Sequence, residues 1–155
     1  MSKKNSSVIL KSGFKNFEDL SKVYLNFKHN FKKLKYKSYV IAISGGPDSL
    51  ALAALTKALS YEKKLKFHYV LIDHQIRHNS KKEANQVKLL LKKHKFTCKI
   101  LSNKSKIINN IQSQARNARY EMLKNFCRKK KVKIILTAHN LEDQVETFFI
   151  RLSRG

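Results

Sequence analysis

Four short, mainly apolar runs without regular alternation do most to limit what this chain can fold into. They are Ser38–Ile43, Lys66–Asp73, Phe96–Leu101 and Val132–Ala138. A strand with one wet face would alternate; runs without alternation predict strands buried on both faces, as in a parallel sheet. Between them lie stretches with helical spacing, Ser49–Ser60, Ser80–His94 and Ile111–Lys129, and a last one follows at Leu141–Leu152. Alternating strands and helices give an α/β fold, a doubly wound parallel sheet with helices on both faces. Ser80 and Glu83 match a capping box at the start of one helix. Ahead of the first strand, Phe14, Phe17, Leu20, Tyr24, Phe27 and Phe31 recur mostly at three- and four-residue steps. That stripe predicts an amphipathic helix. The organisation expected is a helical segment over 1–37 and one domain over 38–155.

Function gathers at one turn. The chain has four glycines and one proline, and Gly45, Gly46 and Pro47 stand together in Ser44-Gly45-Gly46-Pro47-Asp48-Ser49. The turn follows the first strand and opens a helix, at the sheet edge where α/β folds bind ligands. Glycines let the backbone approach a ligand closely, Pro47 suits the first helical turn, and the helix start offers free N–H groups. Ser44 and Ser49 add hydroxyls. This is a cradle for an anion, most naturally phosphate. Asp48 would repel a phosphate unless a cation such as Mg²⁺ bridged them. The plainer alternative is a strand–helix turn with Asp48 as its cap. The pattern is neither G-x-x-x-x-G-K-[ST] nor G-x-G-x-x-G.

Thirty-four Lys and Arg against ten Asp and Glu give a formal charge of +24, which calls for a polyanionic partner. No apolar run is long enough to span a bilayer, and Val8–Leu10 is too short for a signal peptide. The expectation is no membrane partner. Cys98 and Cys127 form no C-x-x-C, which fits a reducing, cytoplasmic setting with both as packing residues. Arg116 and Arg119 are spaced to share a helix face, where two guanidiniums could grip phosphate; the plainer alternative is a solvated arginine pair. His139 and Asp143 follow the fourth strand.

The turn resembles the S-G-G-x-D-S loop of the PP-loop ATP pyrophosphatases. Three further stretches sharpen the likeness: Ile72–Ala84 (IDHQIRHNSKKEA), Gln112–Tyr120 (QSQARNARY) and Thr137–Gly155 (TAHNLEDQVETFFIRLSRG). In this order they resemble the N-terminal catalytic domain of the tRNA(Ile)-lysidine synthases, whose patterns are D-H-G-L-R, Q-A-R-x-x-R-Y and T-A-H-x-x-D-D-Q-x-E-T. The resemblance runs from about Tyr39 to Gly155.

It implies a Rossmann-like fold that binds ATP on Ser44, Gly45, Gly46, Pro47, Asp48 and Ser49. Asp73 and His74 would lie along the adenosine. Mg²⁺ would sit between Asp48 and Asp143, with Arg116 and His139 beside the reacting groups. The implied substrates are tRNA(Ile) with a CAU anticodon and free L-lysine, and a homodimer is compatible with it. Three departures stand out. Gln75 replaces the family's Gly, Ile76 its Leu, and Glu142 the first Asp of D-D-Q. Family members usually also continue past this point, so either a fragment or a minimal enzyme is compatible with the sequence. Two other readings stay open: a tRNA 2-thiolation enzyme on the same fold, and an RNA-binding remnant without activity.

Overall fold

A computed structural model describes residues 18–76, 78–103 and 111–138. Helix α1 is Glu18–Phe31, β1 Ser38–Ile43, α2 Pro47–Glu62, β2 Lys66–Asp73, α3 Ser80–Lys93, β3 Cys98–Ser102, α4 Ile111–Lys130 and β4 Ile134–Leu136. The four strands form one parallel sheet in the order β3-β2-β1-β4. The α/β expectation therefore holds. Phe14, Phe17 and the helix expected at Leu141–Leu152 lie outside the described residues.

Strand alternation divides the core. Tyr39, Ile41, Tyr69 and Leu71 point to one face, where Ala53 and Leu59 of α2 and Ala84 and Leu91 of α3 cover them. Val40 and Val70 point to the other, against Leu123, Phe126 and Cys127 of α4. Helix α1 joins the first face: Phe31 stacks edge-on against Tyr39 at 4.8 Å between ring centroids. The Tyr24 hydroxyl donates to Glu62 of α2 at 2.7 Å, and Lys28 pairs with the same carboxylate. Leu20, expected on the buried stripe, is 50% exposed.

Three elements start elsewhere than expected, each for a hydrogen-bonding reason, and several ends shift by one or two residues. Helix α2 begins at Pro47, because the missing N–H of proline costs nothing in a first turn. Strand β3 begins at Cys98, because the Phe96 N–H closes α3 on the Leu91 carbonyl at 2.9 Å. Strand β4 begins at Ile134, because the Val132 N–H closes α4 on the Cys127 carbonyl at 2.9 Å. The capping box is also corrected. The N-cap of α3 is Asn79, without a side-chain cap bond, and Ser80 is already helical.

The strand order places the reversal between β1, which continues to β2, and β4 on its other side. The carboxyl ends there are the place where such folds bind ligands.

Candidate active site

The loop 44–46 leaves β1 at that reversal and enters α2. Gly45 has φ +89°, and a Cβ there would stand 3.0 Å from Val87 Cγ2 of α3. Backbone and packing both demand glycine. Gly46 is different. Its φ of −72° and ψ of 161° suit any residue, and an added Cβ would meet only Ser44 Oγ, at 3.6 Å. The protein itself does not require glycine at 46; the clear space above its backbone is what a closely approaching ligand would use.

The two hydroxyls face inward. Buried Ser49 donates to the Gly46 carbonyl at 2.8 Å and accepts from the Ser44 N–H at 3.2 Å. Ser44 Oγ donates to Ser49 Oγ at 3.1 Å and accepts from the Gly46 N–H at 3.4 Å. Both hydroxyl protons are spent inside the loop, so they shape the cradle. The first helical bond of α2 is Leu50 N–H to the Gly46 carbonyl, at 3.2 Å. The N–H groups of Asp48 and Ser49 precede it and are left for an anion at the helix start. The Asp48 carboxylate is exposed in this first turn, and no ion pair among the described residues uses it.

Among the described residues two clefts meet the loop. One, of 210 Å³, lies between β2 and α3, lined by Ser44, Asp73, His74, Ser80, Glu83 and Val87. The other, of 120 Å³, lies at the reversal, lined by Ser44, Ser49, His74, Arg119, Thr137 and Ala138. Ser44 and His74 border both.

Arg119 enters the second cleft, and its Nε and one terminal nitrogen each lie 3.4 Å from His74 Nε2. A guanidinium only donates, so Nε2 accepts and the neutral ring carries its proton on Nδ1. That Nδ1 is buried and has no partner among the described residues. Arg116, expected on the same face, is exposed, and its guanidinium lies over the Tyr120 ring, 5.5 Å from the centroid. The structure thus brings Ser44, Ser49, His74 and Arg119 together, with Asp73 beside them, and does not bring Arg116 to the cleft. His139 and Asp143 lie outside the described residues. Glu83 at the first cleft was missed as a candidate, since its spacing from Ser80 read as a cap.

Burial holds the His74 imidazole below its usual pKa, Arg119 adds to this, and Asp73 opposes it. Burial, with Lys66 and Lys130, lowers His68 likewise. A base depressed in the folded state binds protons more readily when unfolded, so acid favours unfolding. This contribution to stability is full above the unfolded value of about 6.5 and is lost as pH falls from there toward the folded values. The urea midpoint should drop between pH 7 and pH 5, and drop less in His74→Asn. An equal drop in both would assign the acid sensitivity elsewhere.

The departure at Gln75 has a structural meaning. Its φ is +54°, the left-handed region, with its N–H donating to Asp73 Oδ1 at 3.0 Å. Glycine adopts this conformation freely; other residues lose about 1 kcal/mol or more there. Gln75→Gly should raise the thermal midpoint by about 2–4 °C, the shift that ~1 kcal/mol gives a domain of this size. A lowered midpoint would mean that the glutamine side chain has compensating contacts.

Acids fit a metal only sparsely. Among the described residues no three His, Cys, Asp or Glu gather as a ligand set. Magnesium needs no such cage: one or two carboxylates plus substrate phosphates hold it. Asp48 beside an anion cradle satisfies that description. Cys98 and Cys127 are both buried, on opposite faces of the sheet, so they share no site. Burial pushes the Cys98 thiol up to about 11 and raises Cys127 as well.

Known proteins resemble this chain in sequence and in fold. A tRNA(Ile)-lysidine synthase of Orientia tsutsugamushi (strain Boryong) is 38% identical over 138 residues, covering 86% of this chain and 31% of the relative. One from Wolbachia pipientis wMel is 40% identical over 118 residues, covering 74% and 27%. The chain thus spans about a third of the length of these curated relatives, at 31% and 27%. The solved structure of the U34-tRNA thiolase NcsA from Methanococcus maripaludis, with its 4Fe–4S cluster, aligns with a TM-score of 0.63. It is 18% identical and covers 76% of this chain and 43% of that one, a likeness of fold alone. Among the described residues no helix is long and apolar enough to cross a membrane. A family model described as a PP-loop domain matches residues 20–155, and the loop, the strand order and the match together make this chain a member of the PP-loop family.

Proposed function

We propose that this chain carries the ATP-activating site of a tRNA(Ile)-lysidine synthase and joins lysine to C2 of the wobble cytidine. The observation that carries the reading is the loop 44–49, set at the head of α2 on the strand reversal, in a chain 38–40% identical to synthases of that name. Each step asks of the protein what these residues can give. The cytidine C2 oxygen attacks the α-phosphorus of ATP, and pyrophosphate leaves. The ε-amine of lysine then attacks C2, and AMP leaves. Neither step needs a protein nucleophile. Both need groups held in line and negative charge stabilised as it moves.

In this reading the α2 N–H groups and the space over Gly46 receive the phosphates. The cleft beside Asp73 and His74 takes the adenosine. Asp48 and Asp143 hold Mg²⁺, which when bound neutralises the phosphate oxygens. Arg119 keeps His74 neutral, with its proton on the buried Nδ1. His139 is assigned near the reacting groups from the family pattern; Arg116, which stays outside the cleft over the Tyr120 ring, is not. The lysine amine must lose a proton before it attacks, and His139 or an acid of the segment 142–146 is the expected acceptor. The setting is the cytoplasm. The buried thiols, on opposite faces and with raised pKa values, weigh against sulfur transfer by these cysteines.

The test is direct. The chain is incubated with ATP, Mg²⁺, radiolabelled lysine and unmodified tRNA(Ile) bearing a CAU anticodon. ATP-dependent label on the tRNA is the expected result. Absence of label with tRNA still bound would replace this reading with that of an RNA-binding domain.

A further inference from the structure

One flank of α4 plays no part in the clefts described above. Arg116, Tyr120, Lys124 and Arg128 recur at four-residue steps, so they lie in one row about 6 Å apart along the helix. Tyr120 is 39% exposed beneath the Arg116 guanidinium. The row runs into a groove of 380 Å³ between the end of α4 and the start of β4. Lys124, Arg128, Lys131 and Lys133 form its rim, all exposed; Cys127, Val132 and Ile135 form its floor. Lys131 is fixed at the rim by the closing turn of α4, with φ +54° and its N–H on the Arg128 carbonyl at 3.2 Å. Among the described residues no acid lines the groove. Glu121 pairs with Lys124 at 3.6 Å, but both side chains are exposed, and such a pair is weak.

We propose that this row and groove form a track for the phosphodiester backbone of the RNA substrate, leading away from the reacting end of the domain. The proposal rests on the tRNA reading above. Four cations around one concavity repel one another until a polyanion fills it. An exposed aromatic ring under an arginine, followed by cations at regular steps, suits a strand whose base stacks and whose phosphates follow. Arg116 to Arg128 spans about 18 Å of helix, so a strand engaged at the cleft can lie along the whole row. A bilayer would instead need a broad apolar face lying flat on it. Here the apolar atoms form the floor of a groove.

The test compares two neutralised variants of equal charge. The groove variant carries Lys124→Gln, Arg128→Gln, Lys131→Gln and Lys133→Gln. The control carries Lys64→Gln, Lys88→Gln, Lys92→Gln and Lys93→Gln, four exposed residues outside the groove and away from α4. All eight side chains are exposed, so both variants keep the fold. Binding of unmodified tRNA(Ile) is measured across a salt series, with ATP binding alongside. The groove variant should weaken tRNA binding about ten-fold more than the control. It should also flatten the salt slope by roughly 0.7–0.9 for each phosphate that is no longer neutralised. ATP affinity should be unchanged in both.

Equal losses in the two variants would overturn the track, whatever the outcome with lysine. Binding to phosphatidylglycerol vesicles that depends on the groove more than tRNA binding does would overturn it too. Label transfer failing while tRNA binding stays groove-dependent would sink the synthase reading and leave the track standing.

Discussion

Gly45→Ala is expected to cost about 2 kcal/mol of stability, and so to lower the thermal midpoint by roughly 4–8 °C. Two effects combine. The φ of +89° is poor for any L side chain, and the new methyl would stand 3.0 Å from Val87 Cγ2. Val87 is a side chain that can yield, so Gly45→Ala with Val87→Ala should recover the steric part and leave the backbone part. Gly46→Ala should behave in the opposite way. Its backbone is ordinary and its Cβ would touch only Ser44 Oγ, so stability should hold within about 0.5 kcal/mol of wild type. ATP binding should nevertheless weaken about ten-fold or more, equivalent to ~1.4 kcal/mol, because the methyl fills the space proposed for the phosphates. Scanning calorimetry and titration of ATP separate the two glycines. If Gly46→Ala binds ATP as wild type does, the phosphates lie elsewhere.

That contrast was not legible in the sequence, where the two glycines look alike. What was legible follows a physical divide. Strands β1 and β2 were delimited residue for residue, because burial on both faces leaves apolar runs with sharp ends. Strands β3 and β4 were extended too far forward at Phe96 and Val132, whose N–H groups close the preceding helices instead. Those closures put Lys95 and Lys131 at positive φ, a place where sequence rules look for glycine or asparagine. The cradle itself was legible from residue order. The inward turn of Ser44 and Ser49 was not, since a hydroxyl's partner depends on how tightly the loop folds. Arg116 and Arg119 are three apart, near enough in angle to be grouped from spacing. Their contacts separate them: Arg119 faces His74 and Arg116 faces Tyr120.

Asp48→Asn should separate a catalytic carboxylate from a helix-stabilising one. Helix α2 has Gly46 as its N-cap, with no side-chain cap bond, so the structural value of Asp48 is confined to its charge near the helix start. That is worth about 0.3–1 kcal/mol, and the thermal midpoint should fall by no more than about 4 °C. If the carboxylate instead holds Mg²⁺ against the phosphates, ATP-dependent lysine incorporation should fall roughly 100-fold or more, as for loss of a group aimed at developing charge. A dipole role alone predicts activity near wild type. Nucleotide binding supplies a second discriminator, with opposite signs in its two arms. Without a divalent cation the Asp48 carboxylate repels the phosphates, so Asp48→Asn should bind metal-free ATP more tightly than wild type. With Mg²⁺ the carboxylate becomes a ligand, and the variant should bind MgATP more weakly. Only a carboxylate facing both the phosphates and their cation reverses the sign between the two titrations. A change of the same sign in both would remove Asp48 from the metal site and leave it as part of the turn.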